Sequence, residues 1–426
     1  MKFSQIGRVA LASLLSLGVC LGISACTTAY TGAYLYVTST RSNPGVVNAF
    51  KIDSVSGALY ILPDSPFPAG RNPVGLVISP NGKQVYVINH DDSTVIQYDT
   101  GTDGKIYAQH TYNTTGGLPT SVAIDPSGQY LLVAFTYQLG YTPASPGPGG
   151  VDVFPVKADG SLVTAATDGT NPGHTAIPVG CNPVSINVAS ANNFVYVLDQ
   201  NYIPSPATCI AASGTPANSP ISNTPLILGF SLNTSKTPSG GSLTPLPGST
   251  TQAGVVYPGY PAGVQPSSLL VDPRGQHVYV TDQSADAIYS YAIQANGSLA
   301  PQASTTTGVA PTATTQISPV AMTISPNGNF LFEANYGSNN VGAFTIGSGG
   351  TLTPVPSTFL VNVGTNPNCL AMSSHGEFLF ATNYTSSTVS ALQLNSNTGN
   401  LINVESTPFP TAGFPTCAAA VAATGY

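Results

Sequence analysis

The chain has 426 residues, long enough for one large core or for two or three ordinary domains. Only 6% are Asp, Glu, Lys or Arg, against roughly a quarter in most soluble proteins, and 10 basic and 17 acidic side chains leave a formal charge of −7. No Lys/Arg cluster occurs, so the footprint of a nucleic-acid binder is missing, and 44 Gly and 37 Pro mark a turn-rich chain rather than a membrane-spanning one.

At the N-terminus, Lys2 and Arg8 precede an apolar run, VALASLLSLGVCLGI, at residues 9–23. This pattern reads as a secretory signal over residues 1–25, not as a structural helix. The following ISAC, residues 23–26, resembles a bacterial lipobox, which implies cleavage before Cys26 and lipidation of its thiol. Ordinary cleavage nearby, with Cys26 incidental, is the alternative reading. A short linker, 26–32, would lead into the folded domain, and a chain starting at Cys26 would keep 8 basic and 17 acidic residues. No other segment is long and apolar enough to cross a bilayer, so the lipid would be the only membrane contact. The expected location is the cell envelope, facing the periplasm or on the outer membrane.

From residue 33 onward one unit repeats. It consists of X-Pro, a short apolar strand, a Pro/Gly or Asn/Gly turn, a second strand and a polar loop. Examples are NPVGLVISPNGKQVYVIN from Asn72, QPSSLLVDPRGQHVYVTD from Gln265 and SPVAMTISPNGNFLFEAN from Ser318. The starting prolines are 73, 119, 183, 266, 319, 367 and 415, with separations of 46, 64, 83, 53, 48 and 48 residues. A period near 47 residues with four short strands per unit is the signature of a β-propeller. The third strand recurs as VIQYDT (95–100), VDVFPV (151–156), AIYSYAI (287–293) and TVSALQL (388–394), and a fourth is expected at the outer edge. The last unit stops after one strand, and the partner it lacks is AYLYVTS, residues 33–39. The expected fold is therefore all-β: one seven-bladed propeller over 33–426, closed by the C-terminal strand completing the N-terminal blade.

The tetrads YVIN, YVLD, YVTD, FEAN and FATN make these units resemble the YVTN-type propellers, and in particular the lactonase-like seven-bladed family that includes bacterial 6-phosphogluconolactonases. The resemblance implies the fold and, as one reading, lactone hydrolysis. Enzymes of that family carry a Gly-Pro-Arg-His run opening one inner strand and an Asn-Glu pair ending the next. Laid on the fourth unit, the Pro matches Pro183, but Val184, Ser185, Asp199 and Gln200 stand where Arg, His, Asn and Glu are expected. The other units have Val74-Gly75, Thr120-Ser121, Ser267-Ser268, Val320-Ala321, Asn368-Cys369 and Thr416-Cys417 after their prolines. Lactone chemistry needs an acid/base group and a cation to hold an acidic substrate, so the family's usual route is not expected here.

In a propeller the inner strands begin, and the second strands end, on one face. That face should gather Asn89-His90, Thr136-Tyr137, Asp199-Gln200, Asp282-Gln283, Asn335-Tyr336 and Asn383-Tyr384. Such a ring of amides, acids and aromatics suits a small polar ligand or a glycan; alternatively, Asn and Asp simply turn the chain. Two Pro/Ser/Gly-rich insertions, 138–150 and 201–225, should rise on the same face. Cys181 and Cys209 are placed to form a disulfide pinning the second insertion. Cys369 and Cys417 occupy the same repeat position in the two blades that meet at the closure, and are expected to pair.

Glu333 breaks the repeat, because its equivalents are Val37, Val87, Val133, Val197, Val280 and Ala381. Burial should raise its pKa. Glu333, Asp199 and Asp282 are the acid/base candidates of a rearranged hydrolase, against which stands a binding or interaction scaffold. No metal site or cofactor signature is read: the His residues are scattered, and no calcium loop, phosphate loop or nucleophile elbow occurs. The expected partners are a small polar ligand, a glycan or an envelope protein, and the molecule is expected to be a monomer.

Overall fold

In the computed structural model the described residues are 31–41, 43–164, 177–202, 224–235, 240–248, 259–302, 304–305, 308–309, 313–356 and 359–423. They form seven antiparallel sheets arranged as blades, a short separate pair of strands, Ser304–Thr305 with Gly308–Val309, and no helix. The inner strand of each blade is the one that opens on the repeat proline. In chain order these are Pro73–Ile78, Gly117–Ile124, Pro183–Val188, Pro266–Val271, Pro319–Ile324 and Pro367–Met372, for blades two to seven. The seventh, Pro415–Ala422, is the inner strand of blade one and pairs with Thr31–Ser39. Each inner strand packs against the next, and Pro415–Ala422 touches those of blades two and seven, so the ring is closed as the sequence predicts.

Second strands are the most buried. Gln84–Asn89, Phe330–Asn335 and Phe378–Asn383 are enclosed along their whole length. Blades cover one another on both faces, which is why these strands read as continuous apolar runs instead of alternating. The tyrosine of the tetrad has its own task. Tyr36, Tyr86 and Tyr196 donate to the carbonyls of Gly104, Gly160 and Gly297, each in the turn of the following blade, at 2.7–2.9 Å. A buried phenol thus satisfies its polar tip while its ring fills the seam between blades.

The inner hairpins turn on one chemistry. Ser79, Ser325 and Ser373 accept the N–H five residues ahead at 2.9–3.0 Å, and Asp125 does the same for Tyr130 at 2.6 Å. Three residues after Ser325, Gly328 sits at φ +71°, a conformation other residues adopt only with strain. This is the physical content of SPNG and DPSG.

The fourth strand differs from the simple expectation. In blade two it is continuous, Ile106–Asn113, but in blades one, four, five, six and seven it is broken into two short pieces on the same third strand. In blade six, for example, Leu352–Pro354 and Leu360–Asn362 both pair with Asn340–Ile346. A short, interrupted edge offers little template to another chain.

Candidate functional site

The mouth is built where Pro73 pairs with Asn89, Pro183 with Asp199, Pro266 with Asp282, Pro319 with Asn335 and Pro367 with Asn383. The predicted ring therefore exists, but the structure divides it into two tiers. Asn89, Asp199, Asp282, Asn335 and Asn383 are fully enclosed. Three of them hold the loop that enters their own blade's inner strand. Gly70 N donates to Asn89 Oδ1 at 2.9 Å. Asn201 N donates to Asp199 at 2.7 Å, and Asn182 N also points to that carboxylate. Val264, Gln265 and Ser284 donate backbone N–H groups to Asp282 at 2.5, 3.2 and 3.0 Å. Close approach is what permits this: a Cβ on Gly180 or Gly263 would lie 2.2 Å from a carboxylate oxygen of Asp199 or Asp282. Burial pushes Asp199 up to about 7, against the pull of those amides.

In blade three the predicted register is corrected. Pro119 pairs with Phe135, not Thr136, so an aromatic ring occupies the tether position there, packed against Gly116. Tyr137 lies further out, opposite Gly117.

The upper tier is open to solvent. His90, Tyr137, Gln200, Gln283, Tyr336 and Tyr384 are half-buried. Tyr384 stacks on Phe414 with ring centroids 5.2 Å apart, a contact the sequence reading missed. Gln200 donates to Pro266 O at 2.6 Å and accepts from Asn182 at 2.9 Å. Exposed Val264 and Ile317 add apolar surface on the loops that enter blades five and six. One corner is charged, and only His90 of it was foreseen. Arg71 Nε donates to Asp92 at 2.5 Å and Arg71 Nη2 to Asp91 O at 2.9 Å. His90 Nδ1 lies 2.7 Å from Asp91 Oδ1. The His90 and Asn72 bonds hold Asp91 below its usual value, and the backbone and side chain of Arg71 do the same for Asp92. The signal was available: Arg71 stands two residues before the repeat proline, and Asp91-Asp92 directly follow the ring position.

Below the mouth, none of the seven inner strands carries a Lys, Arg, His, Asp or Glu. In four of them the side chain after the proline instead stitches blade to blade. Thr120 donates to Pro183 O at 2.7 Å, Ser267 to Pro319 O at 2.7 Å, Asn368 to Pro415 O at 2.9 Å and Thr416 to Pro73 O at 2.6 Å. One residue further on, Ser121 and Ser185 accept the N–H of Ile186 and Leu269 in the next blade, both at 3.1 Å.

A family model described as "Lactonase, 7-bladed beta-propeller" matches residues 33–200 and 301–419. The chain belongs to this family. Among solved structures it is similar to a putative 6-phosphogluconolactonase of Bacteroides fragilis (17% identity, TM-score 0.67, covering 93% of this chain and 99% of that one). It is also similar to a periplasmic gluconolactonase of Pseudomonas aeruginosa (18% identity, TM-score 0.66, covering 92% and 99%). At such identity these likenesses establish the fold. No curated protein matches the sequence.

Within this lactonase-family propeller, Glu333 is enclosed completely, opposite Met322 on one side and Gly342 on the other. Gly342 makes the room, since a Cβ there would lie 2.5 Å from Glu333 Oε1. Asn335 Nδ2 donates to that oxygen at 3.1 Å, while Oε2 has no partner. No ion pair reaches Glu333 among the described residues. Burial pushes its carboxyl up to about 8, with the Asn335 bond pulling the other way.

On the opposite face, a cleft of about 680 Å³ running across blades two, three and four is lined by residues that include Ser79, Gln84, Tyr130, Lys157 and Ser235. A smaller one, about 430 Å³ between blades one and seven, carries His375 and Glu377. The insertion at 138–150 rises from the mouth face, with Leu139 almost fully exposed. Most of the other insertion lies outside the described residues, as do Cys26 and Cys209; Cys181 itself is disulfide-bonded. Among the described residues no His/Cys/Asp/Glu group has the makings of a metal site.

Proposed function

We propose that this propeller is an exported, lipid-anchored binding module that takes a neutral polar ligand, a carbohydrate, at its mouth, and does not open lactones by the family's usual route. The observation that carries the reading is the channel wall. It offers hydroxyls, amides, apolar groups and two thiols, but no imidazole, cation or carboxylate to move a proton or hold an acidic substrate. The positions matching the family's Arg and His are Val184 and Ser185, and Ser185 is engaged with Leu269 of the next blade. Glu333, Asp199 and Asp282, the acid/base candidates, are all enclosed. At the mouth, the Tyr384–Phe414 stack, Tyr336 and the glutamines supply flat apolar faces beside amides, which is the chemistry of sugar recognition.

The test is a pair of screens on the mature domain. Sugar lactones should show no turnover above their spontaneous hydrolysis. A glycan array should return a ligand whose affinity, by titration calorimetry, falls about tenfold or more in Tyr384→Ala. An array without hits would overturn the binding reading.

A second reading has one observation behind it, the His90–Asp91 pair beside Arg71. An imidazole oriented at Nδ1 by a carboxylate can act as a base through Nε2. Lactone turnover that disappears in His90→Gln would establish that reading and remove the first. Export and anchoring rest on the basic, apolar and ISAC segments before Cys26. A Cys26→Ser protein should leave the membrane fraction and fail to incorporate labelled fatty acid; unchanged partitioning would refute the anchor.

A further inference from the structure

In several blades the residues just after the repeat proline bond to the neighbouring blade, and the second of them carries the pattern that matters here. In blades three and four it is serine, accepting an N–H from the next blade. In blades seven and one it is Cys369 and Cys417. Cys369 Sγ takes the serine's role, accepting Ala418 N–H at 3.3 Å. Because two successive blades both carry cysteine here, the sulfurs face each other across the seam, 2.9 Å apart, but as free cysteines: the disulfide expected from the sequence is not formed in this structure. Both residues are partly exposed.

We propose that Cys369 and Cys417 are a redox pair that closes the propeller covalently at the junction between its last blade and the C-terminal strand. Two features favour reaction in addition to distance. The hydrogen bond between the sulfurs pushes the two thiols apart, one raised and its partner lowered, so that one member of the pair ionises first. Both residues lie on inner strands, Pro367–Met372 and Pro415–Ala422, which line the channel through which a small oxidant would have to come.

The oxidant is a low-molecular-weight disulfide. The thiolate of the pair attacks one of its sulfurs and expels the other as a thiolate. The second cysteine then gives its proton to solvent and attacks the sulfur of the first, releasing the second thiolate. Two electrons pass to the exogenous disulfide, which leaves as two thiols, and two protons leave the pair. The product joins residues 48 apart in sequence. It ties the strand Pro415–Ala422, otherwise held in blade one by hydrogen bonds and packing, to blade seven.

The test uses the folded, reduced full chain treated with glutathione disulfide, then quenched by alkylation in denaturant and mapped by mass spectrometry. The expected result is a crosslinked peptide pair containing Cys369 and Cys417, lighter by two hydrogens, and restored to two alkylated cysteines by reductant. Oxidised protein should melt a few degrees above reduced protein. Cys417→Ser, which keeps an acceptor at the position, should lose the part of that shift not owed to Cys181. Complete alkylation of both thiols after oxidation, a persistent mixed disulfide with glutathione, or crosslinking only after denaturation would each overturn the proposal. Wild-type mapping stands by itself if the serine variant does not fold.

Discussion

Glu333 shows how one side chain can be flagged by a repeat yet explained only by its neighbours. Its six equivalents are Val or Ala, all fully buried, so an acid at this position stands out in the sequence. Gly342 does not stand out, although it is the residue that leaves space for the carboxyl. With one amide as partner, the neutral acid is the form this setting favours. The sign of the pH effect follows. The folded protein holds the proton up to about pH 8, whereas an ordinary Glu releases it near 4.5. The contribution to stability is therefore whole below about 4.5, declines as pH rises, and is gone above about 8. Glu333→Gln should flatten this decline, so that the variant melts above wild type at pH 9 and close to it at pH 5 in scanning calorimetry. Asp199, raised to about 7, leaves a residual slope in both proteins. Identical pH profiles would show that Glu333 is ionised in the fold.

At the scale of single elements, the loop that enters the inner strand of blades two, four and five is fixed by an Asn or Asp at the end of the second strand and by a glycine lying against it. The carboxylate at Asp282 is held by backbone amides on two loops, and Gly263, at φ +95°, lets its own loop come that close. Gly263→Ala should therefore destabilise the protein by about 2 kcal/mol or more, through strain and a displaced buried carboxylate. Gly140, at φ +94° with nothing within 4 Å of a Cβ, serves as control and should lose only the strain part, about 1 kcal/mol. Equal losses in urea denaturation would mean that the tether adds nothing. The tetrads themselves were readable as strands because their period and composition are local. At Asn89, Asp199 and Asp282 the final Asn or Asp was readable as polar, but not as spoken for, because the donors on the entering loop lie 17–19 residues earlier in the chain.

At the scale of the molecule, a ring brings together what the chain separates. Thr416 reaches Pro73 O, and Cys417 reaches Cys369, only because the last strand completes the first blade. Among the described residues, the seam between blades five and six holds most of the buried polar atoms without a partner. Tyr279 Oη, Glu333 Oε2 and Asn335 Oδ1 are buried there without partners, although tyrosines of blades one, two and four bond the turn that follows. The same architecture places Arg71 beside Asp91 and Asp92, and Phe414 beside Tyr384, pairs about twenty to thirty residues apart that no local pattern advertises. The sequence by itself determined the repeat, the number of blades, the closing strand and the face on which the mouth lies. Each of these follows from hydrophobic period and turn chemistry, which are local. Only the tertiary structure decided which mouth residues face solvent and which are tethers, because burial and hydrogen-bond partners come from neighbouring blades and returning loops rather than from the strand that carries the residue.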